Sequence, residues 1–445
     1  MESIFVGDFL KDFNFPMGVL VKQQISTAIG GDMIKLKNKK RINHKKRENK
    51  NVGDFLHSTQ NEMSKVRIKK DDNLILDQKQ IQPASLDLTI GNTVYHLPFT
   101  FLDYRRNVKE ILDKYSDIKF DISNNNKALL HKNQTYIVPL NEELDLNHDI
   151  YARCNPKSST GRIDLFVRTI IDKGMEFDTI PAGYKGKMYL IIIPQSFDVM
   201  ITEGLSLNQI RFCKDKLDEN ILQDRLIEQI SRKLGIAYNE EELATGEKHF
   251  SKKDGSIRLG VRLKGIGESN IIGFKTKKGI IDTMDLTKIG TYNPDDFFDP
   301  IFEDQIKEKP LVLNQGEFYL LASDLKIGIP PQYCAELESY NEGYGEHRSH
   351  YAGFFDPGFG WAVNEKGDRK IKGSYVVYEV KINGPNVALF QDKNGNSQSK
   401  FVKLRFYKNS QIPDVLYGSD MGSNYQCQGL NLSKYFKKNW EDKYK

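Results

Sequence analysis

Residues 156–162, PKSSTGR, place a lysine, two adjacent hydroxyls and a glycine–arginine pair within one short stretch. They sit between β-like apolar segments in the run YARCNPKSSTGRIDLFVRTIID. Lys157 and Arg162 supply positive charge, while Ser158 and Ser159 supply hydroxyl donors, a combination suited to a polyphosphate. A polar turn between two strands uses the same residue types, so the surrounding elements decide between the two readings.

Composition narrows the classes. A chain of 445 residues accommodates two or three domains, and 39% hydrophobic residues suffice for ordinary cores. The formal charge of +5 is local: residues 37–50 (KNKKRINHKKRENK) hold eight Lys/Arg against Glu48 alone, which leaves the rest slightly acidic. That pattern argues against a protein-wide nucleic-acid footprint and reads as a solvated basic loop. No apolar run reaches the roughly 18 residues of a membrane span, and the N-terminus lacks the layout of a secretory signal. A soluble cytoplasmic protein with no membrane partner is expected. Cysteines stand singly at Cys154, Cys213, Cys334 and Cys427, without CxxC or a His/Cys cluster at zinc spacing, so no zinc is expected.

The elements that must carry the 156–162 stretch read as strands. Residues 17–30 suggest a short amphipathic helix with Leu20, Ile25 and Ile29 on one face, followed by the lysine-rich tract. From about residue 72, short apolar runs such as LDLTIGNTVYHL, QTYIVPL and KMYLIIIP alternate with turn residues. Comparing the chain with itself reveals a duplication. Residues 129–154 resemble 311–337, with Tyr136 matching Tyr319 and Tyr151 matching Tyr333, and ASLDLTIG (84–91) resembles SIRLGVRLKG (256–265). A period of that length suits two copies of one β domain rather than a solenoid. The expected organisation is an N-terminal helix and lysine-rich insertion (1–71), a first β domain (72–215), a charged helical connector (216–254) and a second β domain with a closing C-terminal tail (255–445).

The segments IQPASLDLTIG, NPKSSTGRIDLF, PAGYKGKMYL, LNQIRF, HYAGFFDPGFG, YVVYEVK and YGSDMGSNYQCQG, in this order, resemble the dCTP deaminases of the dUTPase-like superfamily, most closely the long two-domain bacterial form. The resemblance implies an all-β fold of two tandem distorted β-barrel or jelly-roll domains. It also implies sites at interfaces between barrels, as in the trimeric members of the superfamily; a homo-oligomer is expected, and two barrels per chain suit a trimer of chains or a smaller pseudo-symmetric ring.

By the same resemblance Ser158 holds the attacking water, Arg162 steadies the reacting centre, and Lys157 and Ser159 touch phosphate. The family's general base matches Ile191 in the first domain, which cannot move a proton, and the Asp-Pro-Gly turn has become Ile180-Pro181-Ala182-Gly183 there. In the second domain the turn persists as Asp356-Pro357-Gly358-Phe359 and the base position is Glu379, while Ala352 falls where the family offers a carbonyl to the water. That domain in turn lacks the serine-rich motif, having GEHRSH (345–350) instead. Each copy lacks what the other retains, so a composite site is expected, with Ser158 and Arg162 from one domain and Ala352 and Glu379 from the other. Phe359 would lie under the deoxyribose; Tyr417 and Gln428 match the family's closing tail, and Asn424 replaces an expected lysine.

The chemistry so implied is hydrolytic deamination of dCTP to dUTP and ammonia without zinc, feeding dUMP and dTTP synthesis, with Mg²⁺ carried on the triphosphate. Two other readings stand beside it: a dUTP diphosphatase or bifunctional enzyme using Asp356, and a non-catalytic nucleotide-binding regulatory protein.

Overall fold

Strands dominate the computed structural model, which describes residues 18–26, 67–70, 78–214, 222, 226–266, 269–338, 347–349, 353–363, 369–418, 429–438 and 440. The lysine-rich tract, Ala352, Asn424, Cys427 and Gln428 lie outside the described residues. Among the described residues no helix is long and apolar enough to cross a membrane.

The two halves repeat one another strand for strand. In the first, Leu86–Leu88, Asn208–Lys214, Ile150–Pro156 and Thr179–Ile180 form one sheet; in the second, Ile257–Leu259, Val402–Lys408, Tyr333–Leu337 and Phe354–Phe355 form its counterpart. The facing sheets run Thr93–Leu97, Thr135–Asp145, Lys185–Pro194, Leu165–Ile171 and Ile271–Thr276, Phe318–Ile327, Ser374–Ile382, His347–Ser349. The tyrosines matched by sequence make the same bond in both copies: the N–H of His131 donates to the Tyr136 hydroxyl at 3.0 Å, and that of Asn314 to Tyr319 at 2.9 Å. A buried phenol needs a partner, and the tight turn five residues upstream supplies it in each copy.

Strand alternation decides which side chains reach the other domain. Along Ser374–Ile382, Val376, Tyr378, Val380 and Ile382 enter the second domain's own core. Tyr375 and Val377 point the other way, into a cluster shared with first-domain residues such as Leu165, Val167 and Leu190. With a period of two, Glu379 and Lys381 continue on that outward face, toward the first domain.

Several contacts close the seam between the domains. Gly18–Val19 pairs with Cys213 and Lys214, and the Val19 carbonyl accepts from Ser410 N–H at 2.9 Å, so the start of the described chain joins both halves. Met284–Asp285, from the second half, adds in parallel to first-domain strand Val199–Ile201. Deeper in, Arg211 donates to Asp356 Oδ1 at 2.8 Å and stacks its guanidinium 4.0 Å from the Phe354 ring centroid, while Asp356 Oδ2 accepts from the Ser85 hydroxyl at 3.1 Å.

Two local expectations change. Residues 18–19 are extended, with helical residues only from 22, because pairing with 213–214 holds them in a sheet. The connector is helical over Leu226–Leu234, then turns through Gly235 into a hairpin, Ala237–Asn239 with Glu242–Leu243, that pairs with Lys326 and Ile327. Gly235 takes a φ of 69°, which favours glycine and ends the helix, and burial of Ala237 and Tyr238 outweighs the helix preference of the charged run that follows.

The Arg211–Asp356 pair is buried on both sides, so removing the arginine leaves a desolvated carboxylate. Arg211→Met is expected to lower stability by about 3–5 kcal/mol. In urea unfolding followed by near-UV circular dichroism, a midpoint within error of the parent would contradict this.

Candidate functional site

The turn that carries the serine-rich motif is a single helical turn, Ser158–Gly161, between Ile150–Pro156 and Leu165–Ile171. The Lys157 carbonyl accepts from the N–H of Thr160 and Gly161 at 2.8 and 3.0 Å, and the Thr160 hydroxyl donates to Leu207 O at 3.0 Å, which pins the turn to the neighbouring strand. Thr160 is thereby fully buried, and Ser158 stays half-exposed.

Arg162, at the end of this turn, is buried, and its Nε lies 3.8 Å from Glu379 Oε1 on the second domain's outward face. Its Nη1 donates to the Asn431 carbonyl at 2.5 Å, and Ser433 donates its hydroxyl to Ser159 O at 2.7 Å. Residues 429–436 of the C-terminal region therefore lie across the turn, and Ser159 is buried beneath them. Glu379 Oε2 is buried without a hydrogen-bond partner among the described residues. Burial pushes the Glu379 carboxyl well above the ordinary carboxylate range, and the Arg162 guanidinium opposes that rise.

Strand register shows why the first domain has no equivalent carboxylate. Glu379 pairs with Leu320, and Ile191 pairs with Ile137, one residue beyond the matched tyrosines in each half. Glu379 and Ile191 are thus the same position of the two copies. Ile191 is fully buried in an apolar cluster with Tyr95, Leu97, Ile111 and Leu112, under the first domain's own helix Val108–Tyr115. Where one copy docks on its partner with a charge, the other caps the position with leucine and isoleucine.

The remaining sequence candidates fall into separate groups. Ala352 lies outside the described residues, but a Cβ built on its neighbour Gly353 would come within 3.7 Å of Ser158 Oγ and 3.4 Å of the Pro156 carbonyl. This second-domain backbone therefore lies in contact with the serine turn. Lys157 is ion-paired with Asp87, whose carboxyl is raised by burial against the lysine's pull. Phe359 is buried in the second domain's core, with its ring 5.0 Å from Phe355 and 5.9 Å from Tyr417. It therefore belongs to the inner face, opposite the one that presents Glu379. Tyr417 N–H donates to the Pro357 carbonyl at 2.8 Å, and Gly358, with a φ of 99°, leaves room for that segment.

Sequence reasoning missed Asp164, Lys381, Asn431 and Ser433. Lys381 carried a signal, since it stands two residues beyond Glu379 on one strand face; the Asn431 and Ser433 contacts run to backbone carbonyls and leave no trace in residue type.

Because its folded-state acidity is weakened, Glu379 contributes instability that appears as pH rises above the ordinary carboxyl range toward its raised value. Glu379→Gln should match or exceed the parent's melting temperature at neutral pH, with the gap closing as pH falls to about 4. A gap that widens on acidification would contradict the assigned direction.

Residues 56–216 match the family model of the 2'-deoxycytidine 5'-triphosphate deaminase N-terminal domain, and residues 231–436 that of its C-terminal domain. A dCTP deaminase of Ignicoccus hospitalis is 26% identical over 151 residues, which is 33% of this chain and 76% of that protein. The crystal structure of 2'-deoxycytidine 5'-triphosphate deaminase from Agrobacterium tumefaciens superposes with a TM-score of 0.70 at 30% identity, covering 90% of this chain and 100% of the other.

Proposed function

The chain belongs to the dCTP deaminase family, and from that premise we propose that it hydrolyses dCTP to dUTP and ammonia at one composite site per chain, with Glu379 as the proton shuttle. The observation that carries the reading is the buried contact between Arg162 of the first domain and Glu379 of the second.

Deamination adds water to C4 of cytosine and expels the amino group as ammonia. Glu379 takes one proton of the attacking water and delivers it to the ring nitrogen N3, then takes the proton of the new C4 hydroxyl and delivers it to the amine, so that C4=O forms as the C4–N bond breaks and the net reaction is dCTP plus water giving dUTP plus ammonia. A carboxyl held well above the ordinary range suits both halves of that transfer. Arg162 fixes the carboxylate and offsets negative charge developing at the addition step. Ser158, half-exposed beside Gly353, orients the water.

Lys157, which opens the serine turn, is the cation assigned to the triphosphate, exchanging Asp87 for phosphate. The donor set is basic, which fits a Mg²⁺ that arrives on the phosphates rather than one held by the protein. The diphosphatase alternative would need Asp356 to activate water, yet Arg211, Ser85 and the Ala84 N–H already engage both of its oxygens.

Purified protein incubated with dCTP or dUTP and Mg²⁺ is expected to release ammonia from dCTP and no pyrophosphate from dUTP. Glu379→Gln should lower kcat by about 10²–10⁴-fold with dCTP affinity retained, as for loss of a general base. Full turnover in that variant would sink the assignment. Mixing Glu379→Gln with Ser158→Ala chains should restore no activity, since both residues come from one chain; recovery on mixing would place the site between chains.

A further inference from the structure

The contact between Arg162 and Glu379 has a neighbour built in the same way. Two residues beyond Arg162, Asp164 Oδ2 accepts from Lys381 Nζ at 2.8 Å and from the Ser196 hydroxyl at 2.5 Å. Lys381 lies two residues beyond Glu379, on the same strand face. The pair is interior, with side-chain exposures of 0% for Asp164 and 13% for Lys381. Asp164 takes a left-handed φ of 52°, a conformation that aspartate tolerates, and its N–H donates to Gly161 O at 3.0 Å.

The turn therefore presents a positive and then a negative side chain, and the strand a negative and then a positive one. A slip of two residues along the strand would oppose Arg162 to Lys381, or Asp164 to Glu379, inside a desolvated seam. Like charges there are strongly disfavoured, so this order of signs permits one docking register and penalises its neighbours. The duplication supplies a second observation. Stepping two residues along the equivalent first-domain strand gives Ile191 and Ile193, both apolar and packed in or against the cluster under that domain's helix. Charge is present at both positions in the copy that docks on the turn and at neither in the copy that does not.

We infer that Lys381 and Asp164 are positioning residues for the deamination, holding the strand in the register that places Glu379 against Arg162. The inference rests on the deaminase reading, and it makes the pair a determinant of kcat rather than of nucleotide affinity. Among the described side chains, the charged groups on this face are Arg162 against Glu379 and, one rung further, Lys381 with Asp164.

The test uses the full chain and ammonia release from dCTP with Mg²⁺. Lys381→Met alone strands a buried carboxylate and is expected to lose stability. The informative variant is therefore Asp164→Asn combined with Lys381→Met, which removes both charges and keeps an acceptor for Ser196. With near-UV circular dichroism like the parent's, this double variant should show KM within about twofold and kcat lower by about tenfold or more. Lys381→Arg, which keeps the charge, should retain most of the turnover. A folded double variant with parental kcat, or a change confined to KM, overturns the inference.

A parent protein that releases no ammonia would defeat the deaminase reading instead. The register is then read without turnover, from the ¹³C titration of the Glu379 carboxyl, assigned with Glu379→Gln. Loss of the Arg162 contact moves that titration further up in the double variant, and an unmoved titration overturns the inference.

Discussion

A buried glutamate facing a buried arginine across a domain seam is the constraint on which this structure turns. Glu379 is desolvated in that setting, and the Arg162 guanidinium offsets the cost of its charge only in part. Arg162 belongs to the first domain and Glu379 to the second, so the apposition at 3.8 Å exists only when the halves are docked. The seam is built to hold that docking. Arg211 reaches Asp356, Gly18–Val19 borders both halves, and the 429–436 segment returns over the serine turn.

The two copies show alternative solutions to one problem. A strand residue at the position of Glu379 or Ile191 points away from its own core and must be covered by something. In the first domain the cover is local: helix Val108–Tyr115 lays Ile111 and Leu112 over Ile191, and the position is apolar. In the second domain the cover is the other half of the protein, which brings an arginine, and the position is acidic. Burial by a partner with a fixed cation is what permits a carboxyl there at all, and incomplete compensation by that cation is what raises its pKa.

Much of this was legible in the residues. Tyr136 and Tyr319 marked the duplication because a buried phenol constrains the turn before it as well as the strand around it. Loss of the carboxylate at Ile191 together with loss of the serine motif in the second copy pointed to complementary halves, while the face that Glu379 takes came from the strand's packing. What was not legible is long-range or carried by backbone. The edge strand at Gly18–Val19 and the connector hairpin at Ala237–Asn239 are set by the sheets they join, and local propensity favoured helix in both places. The contacts of Asn431 and Ser433 to the serine turn use a carbonyl that any residue could offer and a hydroxyl with many possible partners.

The Asp356–Phe359 turn shows how closely the seam and the second core are linked. Asp356 faces the first domain and satisfies Arg211, Ser85 and the Ala84 N–H; Phe359, three residues on, faces the opposite way into the second domain's core. Between them the Pro357 carbonyl accepts from Tyr417, and a side chain at Gly358 would strike the Tyr417 backbone at 2.7 Å. One four-residue turn thus ties the interdomain clasp, the inner core and the segment leading into the C-terminal region to a single backbone geometry. A displacement of that turn would have to break a buried ion pair on one side and an aromatic contact on the other. The position of residues 416–417 is therefore fixed by the same docking that brings Glu379 to Arg162.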